Sequence, residues 1–240
     1  VLMILMFVAS LAAGMIWGII PAIFKAYFNT NETLFTLMLN YVAMQIVTFC
    51  IVYWENPAGS NTVGIINSAT RAGWLPALGG LTYGWNVLIV LAFTFGMYIY
   101  MKYSKQGYEV AVVGESQDTA RYARINVKRT IIRTMGISGG ICGIAGFLLV
   151  SGASHTISTS TAGGRGFTAI IVAWLSKFNA FVMILVSFFL VFMEKGAIQI
   201  ASQFNLNENA SDVITGIILF FILGSEFFIR YRIAFTKAHK

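Results

Sequence analysis

The chain has few charged residues and few of the side chains that usually carry chemistry. Asp, Glu, Lys and Arg make up 10% of its 240 residues, whereas they form about a quarter of an ordinary soluble domain. Its two cysteines, Cys50 and Cys142, lie inside apolar runs and show no pairing pattern, so neither a disulfide framework nor a cysteine metal site is indicated. The two histidines, His155 and His239, are far apart in sequence. We therefore predict that the chain binds no metal ion.

Motifs for catalysis are also missing from the sequence. It contains no Gly-Lys-Ser/Thr phosphate-binding loop, no metal-ligand spacing and no nucleophile motif. A membrane-embedded enzyme is accordingly disfavoured, and we predict no catalytic residues and no cofactor bound by this chain. The formal net charge of +7 could suggest nucleic acid, but its distribution follows the topology described below. We therefore expect no nucleic-acid partner.

Apolar sequence, by contrast, is abundant. Hydrophobic residues form 58% of the chain, and they occur in long continuous runs without the period-two alternation of a transmembrane barrel. Because a spanning segment must satisfy its own backbone hydrogen bonds, we predict an all-α polytopic membrane protein, with residues 1–240 as a single transmembrane domain. The chain opens on Val1 inside an apolar run, and we expect an N-terminally truncated start.

Seven segments meet or approach the length of about 20 residues that a spanning helix needs. The predicted crossings are 1–20, which Pro21 ends, then 34–54, 82–101, 131–152, a short or broken crossing at 166–176, 179–193 and 213–230. The fifth is too short to cross alone as a regular helix. The predicted protein is thus a helical bundle with one irregular member.

The basic residues fall mainly on one side of these crossings. Counted from an outside start, the loops and the C-terminal tail on that side hold 13 of the 16 lysines and arginines. The other side, which includes loops 55–80 and 194–212, keeps only Arg71, Arg165 and Lys195. The positive-inside rule identifies the first side as the cytoplasm. We predict a multi-pass protein of a cytoplasmic membrane with its C-terminus inside.

The longest predicted cytoplasmic loop, 102–130, carries its own helix signal. Ser116 can cap a helix over about 117–124. The charges on this helix match its dipole, with an anion in the first turn and cations near the last; they are Asp118, Arg121 and Arg124. Gly114 gives the chain a flexible approach to the helix.

One face of this predicted helix suits insertion into a groove on a partner protein. Ala120 and Ala123 leave a low profile there, beside Tyr122. The alternative is a solvated basic loop whose position reflects only the positive-inside rule.

The sequence of the same loop resembles that of a known family. GESQDTARYARINVKR at 114–129 is similar to the cytoplasmic coupling segment of the nucleoside and simple-sugar ABC importer permeases, within the ribose and branched-chain amino acid permease superfamily. Three further blocks resemble that family in the same order: NETLFTLMLNYVA at 31–43, SGGICGIAG at 138–146 and GFTAIIVA at 166–173. Where the family commonly has Gly before the Ile of the coupling segment, this chain has Arg124. We therefore expect the helix exit to shift towards Asn126.

The resemblance implies a permease of the type II ABC importer fold in the bacterial plasma membrane. The partners it implies are ABC ATPase subunits that hold ATP and Mg²⁺, a second permease that is homologous or identical, an extracellular substrate-binding protein and membrane lipid. The solute it implies is a nucleoside or a related small polar molecule such as a sugar. The residues expected to couple to the ATPase are Gly114, Glu115, Ser116, Ala120, Arg121, Tyr122, Ala123 and Ile125.

Three residues are candidates for the solute path. Phe167 and Thr168 lie at the start of the short fifth segment, where a half-helix N-terminus could present free N–H groups to a polar solute. A plain outer loop is the alternative there. Asn40 places an amide inside an apolar run, and hydrogen bonding to another helix is the other use of such a residue.

The fourth predicted crossing, 131–152, is rich in glycine. Its small-xxx-small spacings, at 136/140 and 139/143, allow another helix to approach closely. We predict a packing seam on this helix. A sliding surface for alternating access is the functional hypothesis for the same residues.

An ion-coupled secondary transporter or a channel is the alternative function. Such proteins usually carry carboxylates or charged pairs inside the membrane. Within the predicted crossings, Glu226 is the one carboxylate, and it lies one turn from Arg230. That spacing is typical of an ion pair on one helix, so the sequence favours the ATP-driven permease.

Overall fold

The computed structural model describes residues 2–55, 59–80, 82–159 and 161–204, together with 213, 216–218, 220, 221, 224 and 225. Between Leu2 and Phe204 the described residues form eight α-helices and one π-helical turn, Val150–Ser154. The helices are α1 (Leu2–Phe28), α2 (Glu32–Trp54), α3 (Gly84–Tyr103), α4 (Lys105–Glu115), α5 (Gln117–Tyr122), α6 (Val127–Leu149), α7 (Arg165–Leu175) and α8 (Ala180–Gln203). They belong to two compact units, Val1–Thr161 and Ala162–Lys240.

Five helices of the described part are long and apolar enough to cross a membrane, in agreement with the predicted polytopic all-α protein. They are α1, α2, α3, α6 with its π-helical turn, and α8. Helix α7 has only 11 residues and corresponds to the predicted short fifth crossing. The predicted seventh crossing, 213–230, falls largely outside the described residues, and so do Glu226, Arg230 and the C-terminal tail.

The predicted end of the first crossing at Pro21 is wrong. Helix α1 continues through Pro21 to Phe28. Proline removes only one backbone N–H donor, and membrane helices tolerate this loss where neighbouring groups satisfy the freed carbonyl. Pro21 and the following Ala22 are buried, so packing holds the chain helical at this point.

The predicted end of the sixth crossing at 193 is also too early. Helix α8 begins after Asn179, whose side chain accepts hydrogen bonds from backbone N–H groups in the first turn, and it continues to Gln203. Glu194 and Lys195 do not stop it, because both are good helix formers. The first half of the predicted outer loop 194–212 is therefore helical.

Helices α1 and α6 pack antiparallel with their backbones in contact. Gly14 and Gly18 of α1 face Gly139 and Gly143 of α6 so closely that a Cβ atom at Gly14 would collide with the carbonyl oxygen of Gly139, and one at Gly143 with that of Ser10. Helix association in a membrane depends on such van der Waals contact, which small residues permit. These five residues, here called the glycine seam, confirm the seam predicted at 139/143 and identify α1 as the partner helix.

An apolar core extends the contact between α1 and α6 to α3. Ile144, Phe147 and Leu148 of α6 are buried in it. The ring of Phe147 packs edge-on against that of Phe7 in α1, with centroids 5.9 Å apart and an interplanar angle of 87°. Phe7 in turn lies 6.4 Å from Phe93 of α3. The edge-to-face geometry of the Phe7–Phe147 pair is a favoured one for aromatic rings.

Segments predicted to share one side of the membrane lie together in the first unit. At one end, the N–H group of Leu75 donates to the carbonyl of Ser151 at 3.0 Å, and the ring of Trp74 stacks on that of His155 at 3.9 Å. Both contacts join the predicted outer loop 55–80 to the end of α6. At the other end, the ammonium group of Lys128 lies 4.5 Å from the ring centroid of Tyr27, which joins the predicted inner segments.

Candidate functional site

The predicted cytoplasmic loop 102–130 contains a helix that the sequence reasoning missed. Helix α4 starts at Ser104, whose hydroxyl accepts from the N–H of Gly107 at 2.9 Å and donates to the carbonyl of Tyr100 at 2.6 Å. A Cβ atom at Gly107 would collide with the carbonyls that end α3, so glycine permits the tight corner. Ser104 was the available signal, because serine is a preferred residue at a helix N-cap. Gly114 lies in the last turn of α4 and is not the flexible approach expected from the sequence.

A single extended residue joins α4 to α5. Ser116 has φ −157° and ψ 121°, and its N–H donates to the carbonyl of Val112 at 3.0 Å. Its hydroxyl accepts from the N–H of Thr119 at 3.3 Å. Ser116 therefore ends one helix and caps the next, as predicted for the start of α5. The two helices meet at a sharp corner with Glu115 on its exposed surface.

The end of α5 explains how the chain accommodates Arg124. This residue has a left-handed backbone with φ +57°, the conformation that usually selects glycine at this position. The N–H of Arg124 donates to the carbonyl of Arg121 at 3.0 Å, and that of Ile125 to the carbonyl of Ala120 at 2.9 Å. This paired arrangement is a Schellman motif. The helix exit therefore stays at Arg124, and the expected shift towards Asn126 is wrong.

Asn126 has a different task, because it begins α6. Its side chain accepts from the N–H of Arg129 at 3.1 Å, which caps the helix directly after the Schellman turn. Thr130 is buried in the next turn. One partly buried residue, Ile125, thus separates the end of α5 from the cap of α6.

Helix α5 presents a different surface from the low-profile face expected. Ala120 is fully buried, so its side chain packs inwards, whereas Tyr122 is 90% exposed. Ala123 is also exposed. Arg121 pairs with Asp118 at 3.1 Å on the exposed side, where such a pair contributes only about 0–1 kcal/mol. The exposed end of α5 therefore consists of Tyr122, Ala123 and the charged pair.

An ion pair ties α4 to α6. The guanidinium of Arg133 lies 3.1 Å from the carboxylate of Glu109, and both side chains are mostly buried. Partial burial reduces screening by water, so this pair is stronger than one on an open surface. Helix α5 connects α4 to α6 in the chain. The ion pair therefore holds together the two helices that flank α5.

The three candidates for the solute path fall in both units. Asn40, in the first, lines a groove of about 780 Å³ with Trp17, Thr36 and Ser138. Its amide lies 4.0 Å from the sulfur of Met44 on its own helix and forms no hydrogen bond to another helix within the described ranges. The groove, formed by α1, α2 and α6, borders the glycine seam.

Phe167 and Thr168, in the second unit, lie in the first turn of α7. Phe167 is 57% exposed. Three N–H groups of this turn are not free as expected: Arg165 donates to the carbonyl of Ala162 at 3.0 Å, and both Phe167 and Thr168 donate to that of Gly164, at 2.9 and 3.4 Å.

A polar group at the end of α6 that is predicted to face outside was also missed. The π-helical turn Val150–Ser154 follows α6, and the side chain of Asn86 occupies the space that a Cβ atom at Gly152 would need. Ser151 is buried there. In the sequence, only the small polar run Ser-Gly-Ala-Ser at 151–154 marks this place. π-Helical turns are often found at functional positions.

Comparisons with known proteins agree with this architecture. Residues 1–223 match the family described as "Branched-chain amino acid transport system / permease component". The glucose ABC transporter permease protein of Haloferax volcanii is 27% identical over 95% of this chain and 63% of its own length. The guanosine ABC transporter permease protein of Bacillus subtilis is 28% identical over 91% of this chain and 64% of its own length.

A nucleoside ABC transporter permease protein of Lactococcus lactis is 26% identical over 98% of this chain and 67% of its own length. The chain thus spans about two-thirds of the length of the relatives it matches. No solved structure matches it. With most of its length matched by one family, the chain belongs to the family of branched-chain amino acid transport system permease components.

Proposed function

We propose that the chain forms part of a permease subunit of an ATP-driven ABC importer. The cargo is a nucleoside or a related small polar solute such as a sugar, which moves inward across the bacterial plasma membrane. The observation that carries this proposal is the family match over residues 1–223. The printed functions of the relatives support the solute class, since they name guanosine, nucleosides and glucose.

Helix α5 serves as the docking element for an ABC ATPase subunit. Its support is structural: α5 is a short helix held at both ends by Ser116 and by the Schellman turn at Arg124. Tyr122 and Ala123 project from its exposed end. In this proposal Gly114, Glu115, Ser116, Arg121 and Ile125 position the helix or border the contact, and the buried Ala120 holds α5 in place.

Movement of α5 reaches the membrane through α6. Because Arg133 of α6 is paired with Glu109 of α4, a displacement of the corner at Ser116 shifts both helices. Helix α6 carries the glycine seam, so its movement changes the contact with α1. ATP and Mg²⁺ act on the partner ATPase subunits, and this chain contributes no group to hydrolysis.

The solute path runs beside the seam. Asn40 supplies an amide to the groove between α1, α2 and α6, and a second permease together with an external substrate-binding protein completes the system. Phe167 and Thr168 contribute side chains from the second unit. Asn40→Leu is expected to reduce uptake of the solute while the amount of folded protein is unchanged, because the residue is exposed to the groove.

Uptake under separate energy sources tests the proposal. Cells lacking the gene and complemented with the full-length protein are supplied with labelled guanosine or glucose. Depletion of ATP is expected to stop uptake, whereas collapse of the proton and sodium gradients at constant ATP leaves it unchanged. The opposite result would establish the alternative, an ion-coupled carrier. Uptake that survives both treatments would identify a channel.

A further inference from the structure

A basic groove lies behind the proposed docking helix. It has a volume of about 520 Å³ and is lined by four cationic side chains and one carboxylate. The cationic residues are Lys105, Arg124, Arg129 and Arg133, and the carboxylate is that of Glu109. Glu109 is already paired with Arg133. The groove therefore has a clear excess of positive charge.

The guanidinium of Arg133 retains hydrogen-bonding capacity. Its Nη2 atom is used by Glu109, but its Nε atom is buried and has no partner in the described part of the chain. A buried donor without an acceptor destabilises the structure. Phosphate oxygens are the acceptors that arginine binds best, because its planar donors match their geometry.

An apolar groove lies next to the basic one, because Val110 and Thr134, which line it, directly follow Glu109 and Arg133 in the chain. Met97, Val110, Ile137 and Ile141 line about 180 Å³ between α3, α4 and α6. A further groove of about 470 Å³ shares Ile137 and Ile141 and extends along α1 and α3. At the boundary between the basic and the apolar groove, the hydroxyl of Tyr100, which lines the apolar one, donates to Gln106, which lines the basic one, at 3.0 Å.

The order of residues on α6 shows the same change of character. Arg129, Arg133, Ile137 and Ile141 are each four positions apart and so lie on one face of the helix. All of them line the grooves. The stripe therefore changes from cationic to apolar with increasing distance from the start of α6, which matches the change from headgroup to acyl chain in a lipid.

The aromatic residues place this change near the membrane surface. Helix α3 ends at Tyr103, two residues before Lys105, and Tyr103 and Tyr108 are 71% and 65% exposed. The ammonium group of Lys102 lies 5.7 Å from the ring centroid of Tyr103. Exposed tyrosines beside lysines are typical of the headgroup level.

We propose that an anionic phospholipid binds across these two adjacent grooves. Its phosphate lies among Lys105, Arg129 and Arg133, and one acyl chain follows Ile137 and Ile141 between α3 and α6. Basic sites between membrane helices on the cytoplasmic side are suited to anionic headgroups. The site rests on the predicted cytoplasmic position of loop 102–130 and does not require the proposed transport function.

Retention of defined lipids by the purified full-length complex tests this site. After delipidation, the complex is titrated with phosphatidylglycerol, with phosphatidylcholine of the same acyl chains, or with glycerol 3-phosphate, and binding is followed by native mass spectrometry. Phosphatidylglycerol is expected to bind. Equal retention of phosphatidylcholine would overturn the proposal, and so would full competition by glycerol 3-phosphate, which would indicate a site for a small free anion.

Paired variants locate the headgroup. Lys105→Gln with Arg129→Gln is expected to weaken phosphatidylglycerol binding roughly 30-fold, since each basic residue near the surface contributes about 1 kcal/mol. The matched control, Lys102→Gln with Lys128→Gln, removes the same charge from residues outside the groove. It is expected to change binding by less than about threefold, because the ammonium groups of Lys102 and Lys128 lie over the rings of Tyr103 and Tyr27 and do not line the groove. Equal losses in the two pairs would contradict the proposed site.

A further variant tests the acyl-chain groove. Ile141→Trp fills the apolar groove and is expected to reduce phosphatidylglycerol retention while all cationic side chains remain. Its folding is checked by thermal unfolding in detergent without lipid. Unchanged retention in a folded Ile141→Trp protein would overturn the proposal. So would lipid binding that appears only after removal of the ATPase subunits, because an acidic protein segment would then be the normal occupant.

Discussion

The glycine seam and the capped segment formed by α4 and α5 are held together by different interactions. In the seam, Gly14 and Gly139 bring two backbones into contact without side chains. In the capped segment, Ser104 and Ser116 fix the starts of α4 and α5 with a side-chain hydrogen bond, and Asn126 does the same for α6 where the segment ends. The seam lies between helices long enough to cross the membrane, whereas the capped segment lies in the loop predicted to be cytoplasmic.

The difference reflects the solvent that each region meets. Hydrocarbon provides no hydrophobic driving force between apolar helices, so close shape complementarity has to hold them together. Water competes for backbone groups at the helix ends, and caps replace it there. A single added side chain is therefore expected to harm the seam most, and a single lost hydroxyl to harm the capped segment most.

The largest expected effect is that of Gly139→Leu. A side chain at this position collides with the backbone of Gly14 and Gly18, so we expect a loss of about 3 kcal/mol or more in the free energy of unfolding. The matched control is Gly146→Leu on the same helix, where a Cβ atom meets no other atom within 4 Å. Denaturant unfolding in detergent micelles measures both. An equal loss in the two variants would mean that the seam has no special role.

Removal of the α5 cap comes next. Ser116→Ala is expected to destabilise the start of α5 by about 1 kcal/mol, without unfolding the membrane helices. The amide of Thr119, which donates to the Ser116 hydroxyl, should exchange with deuterium about fivefold faster. Ser116→Asp keeps a capping oxygen and is the control. Unchanged exchange in Ser116→Ala would contradict the assigned cap.

The smallest effect on stability is expected at Arg124, and it has the opposite sign. Arg124→Gly relieves the left-handed backbone at φ +57°, but glycine also adds freedom to the unfolded chain. The net gain is expected to be about 0.5 kcal/mol. Slower hydrogen exchange at the amide of Ile125, which donates to Ala120, is the measurement. Arg124→Val should speed exchange instead, and a slower rate in that variant would refute the assigned strain.

The local features of the capped segment could be predicted from the sequence better than its surfaces could. The Ser116 cap depends on neighbours a few residues away, which is why its position was predicted. The burial of Ala120 depends on how α5 folds back against the rest of the first unit, and spacing along a short helix does not contain that information. The expected exit at Asn126 failed because the Schellman hydrogen bonds stabilise Arg124 in a conformation that arginine alone disfavours.

The glycine seam shows a similar limit. The spacing 139/143 indicates that some helix approaches α6, but it does not say which one. Helix α1 carries the same spacing at Ser10, Gly14 and Gly18. Which helices pair is decided by the whole bundle. Pro21 failed as a boundary for the same reason, since tertiary packing outweighs a single missing hydrogen bond. The roles of Asn40, Phe167 and Thr168 remain predictions.

Docking of an ATPase subunit at the exposed end of α5 is the proposal on which the function of this chain depends most. Ala123→Trp tests it, with Ala111→Trp in α4 as the matched control, because both alanines are exposed and neither change should affect folding. Each tagged full-length variant is purified from cells, and the amount of ATPase subunit that accompanies it is measured together with solute uptake. Ala123→Trp is expected to lose the ATPase subunit and uptake together, at an unchanged unfolding temperature, while Ala111→Trp keeps both. Normal ATPase recovery and normal uptake in Ala123→Trp would contradict the claim.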